Sequence, residues 1–209
     1  MEENKSNTEE QILKAAEKVF LSKGFKNSKI SDIAELAGVN NALINYYFRT
    51  KEKLFDKVLH SKIELLAQAI SNVVDKELPF MQVIKNLVEA QFDFFNENEL
   101  LPRFILSEVL PDESRIGMFR DNVIPIILKA SVRLDKKLQQ EITAGNIRNV
   151  KIFDLLYSMT SMNVLCFVVK PIIMGIGAAN PMTPHYSQIM DDRKNNNVEI
   201  IMNYLTVKK

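Results

Sequence analysis

The chain holds one cysteine and two histidines among its 209 residues, and this scarcity excludes several classes of protein. Cys166 alone cannot form an intramolecular disulfide, which excludes a disulfide framework and predicts a reducing, cytoplasmic location. His60 and His185 lie far apart, with no cysteine or carboxylate at ligand spacing, so no metal site is expected. No cofactor is expected either, and the chain lacks a glycine-rich loop that would hold phosphates.

Signals for export, for a membrane and for catalysis are also missing. The N-terminus has no apolar run that resembles a signal peptide. Residues 164–176 form the most apolar stretch, but Lys170 and Pro171 interrupt it, and it is shorter than the roughly 20 residues that span a bilayer. No nucleophile and base form a recognisable pair. We therefore expect neither a membrane partner nor an enzyme, since an all-helical enzyme would need a cluster of titratable residues that the sequence does not offer.

The most informative stretch is Ser28–Lys51, which has the pattern of two short helices joined by a tight turn. Its first half carries four apolar residues at the spacing of one helix face, Ile30, Ile33, Ala34 and Ala37. Gly38 can take the positive φ that such a turn requires. The second helix buries Leu43 or Ile44, together with Phe48, and leaves its polar side chains outward. This layout predicts a helix-turn-helix whose second helix enters the DNA major groove.

The charge distribution supports this prediction only locally. The net charge is +1, so the overall balance does not demand a nucleic-acid partner. Between Gln11 and Ser31, however, five lysines stand against one glutamate, Glu17. A phosphate backbone would pass beside this stretch, although an ordinary solvated helix face would show the same excess.

Local signals predict where the helices begin and end. Thr8 and Gln11 form a capping box that starts helix 1, and Gly24 ends it after Lys23. Ser28 is expected to cap helix 2, and Thr50 to cap a long helix 4. Further helices are predicted over residues 80–95, 101–110, 115–144 with Pro125 inside, 150–169 and 188–207, with a loop over 171–187. No strand pattern of useful length occurs, so the fold is expected to be all-α with about nine helices.

Three segments of the first 55 residues resemble the DNA-binding domain of the TetR family of transcriptional regulators. They are ILKAAEKVFLSKGF from residue 12, SDIAELAGV from residue 31 and LINYYFRTKEKLF from residue 43. Gly145–Arg148 resembles the turn that many of these regulators place before their eighth helix. The resemblance implies an N-terminal three-helix DNA-binding domain, residues 1–50, and a larger helical ligand-binding and dimerisation domain, residues 51–209. It also implies a homodimer that forms through the last two helices.

The predicted DNA-binding residues fall into two groups. Asn40, Asn41 and Asn45 are candidates for base edges, because an asparagine amide can pair with adenine through two hydrogen bonds. Asn40 has the equally simple interpretation of a helix cap, and an aromatic is more usual in the family at position 45, which leaves the operator sequence open. Lysines and hydroxyls beside helix N-termini suit phosphates. Ala42 would touch a thymine methyl, and Tyr46 would face either groove or core. The resemblance makes Tyr47 and Lys51 phosphate contacts. The full set is Ser28, Lys29, Ser31, Asn40, Asn41, Ala42, Asn45, Tyr46, Tyr47 and Lys51.

The C-terminal part offers less specific candidates. Aromatic and sulfur-containing side chains suit an apolar ligand cavity, although residues of this kind at helical spacing more often form ordinary core. The predicted pocket residues are Phe92, Phe95, Phe104, Met118, Phe119, Phe153, Tyr157, Met162 and Cys166. The predicted dimer interface is a four-helix bundle made by Val164, Phe167, Val168, Ile200, Ile201, Tyr204 and Leu205.

The leading functional hypothesis is a homodimeric repressor that a small, largely apolar ligand releases from a palindromic double-stranded DNA operator. Its expected partners are the operator, a second copy of the chain and an unidentified small-molecule effector. Helix 4 would connect the two domains. The alternative is an architectural or spatial-control DNA-binding protein whose C-terminal domain recruits a protein partner, and a filled core without a cavity would favour it.

Overall fold

The computed structural model describes residues 2–179 and 186–207, with side chains for all of these except 2–6, 119, 122, 176–179, 186 and 187. All regular secondary structure in this part of the chain is helical, which confirms the all-α prediction. The elements are α1 (Glu2–Asn27), α2 (Ile30–Ala37), α3 (Asn41–Phe48), α4 (Lys51–Val74), α5 (Phe80–Glu97), α6 (Leu101–Phe104), a π-helical turn (Ile105–Val109), α7 (Glu113–Thr143), α8 (Ile152–Val168), α9 (Lys170–Ala179) and α10 (Tyr186–Leu205).

The chain divides into two compact units, and each contains two segments of the sequence. Unit 1 comprises the residues through Leu65 together with Arg103–Asn122, and unit 2 comprises Leu66–Pro102 and the residues from Val123 onward. Unit 1 therefore contains the predicted DNA-binding helices and also a segment from much later in the chain. The predicted boundary between residues 50 and 51 separates a DNA-binding from a ligand-binding function, whereas these units are defined by packing. The boundary therefore stays a prediction.

The core of unit 1 is aromatic. Phe20 and Phe55 meet edge to face with ring centroids 5.2 Å apart, and Phe104 packs on Phe55 at the same distance. Ile44 and Phe48 of α3 are buried as well. Burial of one face of each short helix fixes its orientation within the unit.

Two predicted helix starts in unit 1 are wrong. Thr8 lies inside α1, because none of residues 2–7 is a proline or glycine that would stop the helix before it. Lys29, not Ser28, precedes the first helical residue of α2. The Ser28 hydroxyl donates instead to the Gly24 carbonyl at 2.5 Å, so it caps nothing. Thr50 does cap α4, since its hydroxyl accepts from the Lys53 N–H at 3.2 Å.

Unit 2 is built around α5, α8 and α10, which pack against one another through a continuous apolar cluster. Leu87, Leu155 and Leu205 are among its buried residues, and Leu138 adds the C-terminal half of α7. The helix α7 runs through Pro125 without splitting. A polar contact crosses the core where the Asn197 amide donates to the Asn163 side-chain oxygen at 2.9 Å.

The predicted loop over residues 171–187 is wrong in its first half, where α9 forms. Pro171 lies in the first turn of this helix, a place that needs no backbone N–H donor. Ile172 is 66% exposed and Ile173 is half-buried, so burial of this apolar run does not account for the helix. Residues 180–185 of the predicted loop, with His185, lie outside the described part of the chain.

Candidate nucleic-acid interface

The turn between α2 and α3 has the geometry that the sequence predicts. Gly38 adopts a left-handed conformation with φ 66°, and the Val39 N–H donates to the Ala34 carbonyl at 3.0 Å. A residue with a Cβ would be strained at this φ, so glycine is the natural choice. Ile33 and Ala34 are buried beneath the turn. Helix α3 is therefore presented from a rigid support.

Helix α3 has one buried and one exposed face. Ile44 is 1% exposed and Phe48 6% exposed, so Ile44 rather than Leu43 is the principal anchor. Asn41, Ala42 and Asn45 are exposed on the other side.

Asn40, just before α3, and Tyr46 within it each had two interpretations. Asn40 does cap the helix, because its side-chain oxygen accepts from the Leu43 N–H at 2.8 Å. Its amide nitrogen takes no part in that bond. Tyr46 is 61% exposed and thus faces away from the core, while Tyr47 is half-buried beside it with the ring centroids 5.4 Å apart.

Three of the predicted phosphate contacts lie around the N-terminus of α2. Lys29 and Ser31 are exposed there, where the helix dipole favours an anion. The ammonium of Lys51 donates to the Ser28 carbonyl at 2.8 Å and lies 4.3 Å from the centroid of the Phe25 ring. This ammonium keeps further donors for another acceptor. The structure thus brings Lys29, Ser31 and Lys51 to one edge of the helix-turn-helix.

Ser28 lies beneath that edge rather than on it. The side chain is 3% exposed, and its hydroxyl is directed to the carbonyls of Gly24 and Val19 on α1. A phosphate would have to displace these internal bonds. We therefore leave Ser28 out of the proposed interface.

Neighbouring carboxylates neutralise part of the local lysine excess. Lys14 pairs with Glu10 at 2.6 Å, and Lys23 pairs with Asp32 at 2.7 Å. The hydrogen bond from Lys23 is the largest of the effects that lower the pKa of Asp32. Lys18, Lys26 and Lys29 form no ion pair with the described residues. The charge available to an anion is therefore smaller than the lysine count suggests.

Sequence reasoning missed Arg49, which is exposed between α3 and α4. It is the one non-glycine among the described residues with a positive φ, 67°, and its N–H donates to the Asn45 carbonyl at 3.0 Å. A cationic side chain in a conformation rare for its type marks a candidate phosphate contact. Its position between the predicted contacts Tyr47 and Lys51 was the available signal.

Three of the predicted ligand-pocket residues belong to unit 1. Phe104 packs into the aromatic core described above, and Met118 is half-buried. The side chain of Phe119 lies outside the described part.

The other predicted pocket residues belong to unit 2. Phe92 and Phe95 pack on Phe167, with centroids 5.3 and 6.1 Å apart. Phe153 and Tyr157 stack on each other but are 72% and 66% exposed. Cys166 is buried and Met162 half-buried, and the Cys166 thiol donates to the Met162 carbonyl.

Unit 2 does contain a half-open cleft, between the C-terminal end of α4 and the middle of α7. Its volume is about 370 Å³, in the range of small-molecule sites. Ala67, Val74 and Ile126 are among its apolar lining residues, and the ion-paired side chains of Asp75 and Arg133 also line it. Its other polar lining residues are Gln68, Ser71, Asn72 and Lys129. None of the predicted pocket residues lines it, and no motif in the sequence marked these positions.

The predicted dimer residues are divided between core and surface. Phe167, Ile201 and Leu205 are at most 1% exposed and belong to the core of their own chain. Ile200 is exposed, and Val164, Val168 and Tyr204 are half-buried. On α8, the exposed apolar residues are Phe153, Tyr157 and Leu165.

The described helices include none that is both long enough and apolar enough to cross a membrane. What they do form is a helix-turn-helix with an anchored inner face and a polar outer face. That arrangement defines the class of helix-turn-helix DNA-binding proteins.

Comparison with known proteins relates the N-terminal part of the chain to one family of regulators. Residues 12–58 match the model of the bacterial regulatory proteins of the tetR family. The HTH-type transcriptional repressor NicS of Pseudomonas putida is 38% identical over 92 residues, which are 42% of this chain and 42% of NicS. The HTH-type transcriptional regulator YhgD of Bacillus subtilis, itself uncharacterized, is 29% identical over 139 residues, 66% of this chain and 70% of YhgD. The match with NicS thus spans less than half of that relative.

Solved structures show the same fold over nearly the whole chain. The ketosteroid transcriptional regulator KstR2 of Mycobacterium tuberculosis superposes with a TM-score of 0.69 at 16% identity, covering 96% of this chain and 95% of KstR2. The hemolysin II transcriptional regulator HlyIIR superposes with a TM-score of 0.63 at 21% identity, covering 97% and 99%. Residues 12–58 thus match the tetR family of bacterial regulatory proteins, and the likeness to these solved structures shows the fold of the chain.

Proposed function

We propose that the protein is a repressor that binds a palindromic operator as a homodimer and is released by a small, largely apolar ligand. The observation that carries the DNA-binding part is α3 itself, whose buried Ile44 and Phe48 hold Asn41 and Asn45 outward. The relative NicS is named a repressor, which supports the same direction of control here.

Base recognition is assigned to the exposed face of α3. Asn41 and Asn45 are one helical turn apart and therefore share a face. Each amide can donate to and accept from one adenine edge in the major groove. The exposed methyl of Ala42 suits contact with a thymine methyl.

Backbone binding is assigned to the residues around the α2 N-terminus and the α3–α4 junction. Lys29, Ser31, Tyr47 and Lys51 are the predicted contacts, and Arg49 is added by its exposed position. Such contacts fix the register of the protein on DNA without reading the sequence.

The homodimer is assigned to the exposed faces of α8 and α10. Phe153, Tyr157 and Leu165 form an apolar stripe on α8, and Ile200 lies on the exposed side of α10. Burying these side chains against the same surface of a second copy would form a four-helix bundle. The two α3 helices would then meet successive major grooves about 34–36 Å apart.

Release by a ligand requires that the ligand favour one of two dimer conformations. The α4–α7 cleft supports this step, because it is lined by two helices that each also contribute residues to unit 1. A ligand wedged between them would act on both helices. The architectural alternative is not favoured, since the similar proteins are transcription regulators.

Selection of bound duplexes from a random DNA library, followed by footprinting and light-scattering measurement of the mass in solution, tests the proposal. A protected palindrome with two equal half-sites and a dimeric mass is the expected result. A monomer, or protection of a single unrepeated site, would contradict it. Apolar compounds are then screened for release of the selected duplex, and a response that is lost when Ala130→Trp fills the cleft would support the ligand site.

A further inference from the structure

Arg115 occupies an unusual position in unit 1, although it follows the helix-turn-helix by more than sixty residues. Its guanidinium carbon lies 4.3 Å from the centroid of the Phe25 ring and 4.2 Å from that of Phe55. The two rings are themselves 5.0 Å apart and nearly perpendicular. The side chain is only 13% exposed, so this cation is held between two aromatic residues with little water around it.

Acidic and carbonyl groups fix the orientation of this guanidinium. Arg115 donates to the Glu108 backbone carbonyl at 2.9 Å and lies 3.6 Å from the Glu108 carboxylate. Asp112 lies 3.7 Å away on the same segment. Burial raises the pKa of Asp56 on α4, and the positive charge of Arg115 partly opposes this rise. The cation therefore has partners on both the α4 side and the π-turn side.

A second cation lies on the same Phe25 ring. The ammonium of Lys51 is 4.3 Å from its centroid and donates to the Ser28 carbonyl, just before α2. Phe25 thus connects Arg115 to a residue that the proposed function assigns to a phosphate. Gly24, directly before Phe25, allows the Glu108 carboxylate to come close, because a Cβ at this position would lie 2.5 Å from that carboxylate.

We propose that Arg115 is a positioning residue for DNA binding: it holds the Phe25 ring, and through this ring it keeps Lys51 beside the N-terminus of α2. The inference rests on the proposed function, in which Lys51 contacts a phosphate. It assigns part of the DNA-binding machinery to a segment outside residues 1–50. Arg115 itself does not touch the DNA.

The test uses the full-length dimer and the duplex of about 30 base pairs that the wild-type protein selects, long enough for two half-sites one turn apart. Arg115→Met keeps the apolar stem but removes the charge. We expect it to weaken binding about fivefold to tenfold. The dependence of affinity on salt should fall by about two units, because each subunit of the dimer loses one phosphate contact. Arg120→Met, an exposed arginine on the same helix, should bind within about twofold of wild type.

A double-mutant cycle separates positioning from general stability. If Arg115 acts through Lys51, the Arg115→Met, Lys51→Met double variant should bind no more weakly than Lys51→Met alone. Additive losses, or a weakened Arg115→Met whose salt dependence is unchanged, would overturn the inference.

If Arg115→Met does not fold, Arg115→Lys takes its place. A lysine keeps the charge but not the planar face, so affinity equal to wild type would also overturn it. Failure of the wild type to select any duplex would instead overturn the proposed function on which the inference rests.

Discussion

The side-chain oxygen of Asn40 accepts a hydrogen bond from the Leu43 N–H at 2.8 Å, and this bond determines where α3 begins. Asn40 therefore stabilises the start of α3, whether or not its amide nitrogen also contacts a base. Asn41, the next residue, is exposed and does not hold the cap. The two asparagines are neighbours in sequence but contribute differently to the helix.

Replacing Asn40 should lower stability, whereas replacing Asn41 should not. Asn40→Ala removes the cap and is expected to lower the free energy of unfolding by about 1 kcal/mol. Asn40→Ser restores an oxygen at this place and should recover most of the loss, while Asn41→Ala should stay within about 0.5 kcal/mol of wild type. Chemical denaturation in the absence of DNA measures all three. An Asn40→Ala variant as stable as wild type would contradict a contribution of the cap.

Asn45 and Lys51 should differ in how they discriminate between DNA sequences. Asn45→Ala is expected to lose roughly 1–3 kcal/mol on the selected operator and little on random DNA, because it removes a contact with a base edge. Lys51→Ala should weaken both duplexes alike and reduce the salt slope by about one unit for each bound subunit, because it removes one phosphate contact from each. Fluorescence anisotropy at several salt concentrations measures both effects. The same loss for both variants on both duplexes would contradict the assignment.

The helix-turn-helix could be predicted because its signals are local. The spacing of Ile33 and Ala34 and the glycine at position 38 lie within one short stretch, and each depends on backbone geometry alone. The start of α2 could not be placed correctly, because the Ser28 hydroxyl donates to the Gly24 carbonyl of the preceding helix instead of capping α2. The α4–α7 cleft was missed for the same reason, since helices distant in sequence form it.

The dimer prediction shows a different limit. Periodicity placed Phe167 and Ile201 on apolar faces, and both side chains pack inside the chain. Helix α8 also carries exposed apolar side chains on its outer side, while Ile200 is the large apolar residue exposed on the described part of α10. Phe167 is fully buried, whereas Leu165, two positions earlier, is 58% exposed. Which face is which depends on how α5 packs against both helices, and no pattern within α8 or α10 contains that information.

The ion pair between Lys23 and Asp32 should be visible in the titration of Asp32. The hydrogen bond from Lys23 lowers the pKa of this carboxyl. The ion pair therefore stabilises the fold fully at pH values above the ordinary pKa of an aspartate. This stabilisation is lost as the pH falls through the lowered pKa of Asp32. In Lys23→Met, the pKa of Asp32 measured by NMR should rise toward its ordinary value, and the stability difference from wild type should shrink in acid. Lys18→Met serves as the control and should leave the pKa of Asp32 where it is. An unchanged Asp32 titration in Lys23→Met would contradict the pairing.

The exposed aromatic pair on α8 provides the sharpest test of the dimer. Phe153 and Tyr157 stack on each other on the surface, and neither belongs to the buried cluster of unit 2. Tyr157→Asp should therefore leave the fold intact but place a charge within the proposed interface, where it would be desolvated. The mass in solution should fall to that of a monomer, and operator affinity should fall by about a hundredfold or more, because two half-sites no longer bind together. Val132→Asp replaces an apolar residue of α7 that is 69% exposed, and it should remain dimeric with unchanged affinity. If Tyr157→Asp remained a dimer while Val132→Asp became a monomer, the interface would involve α7 and not α8.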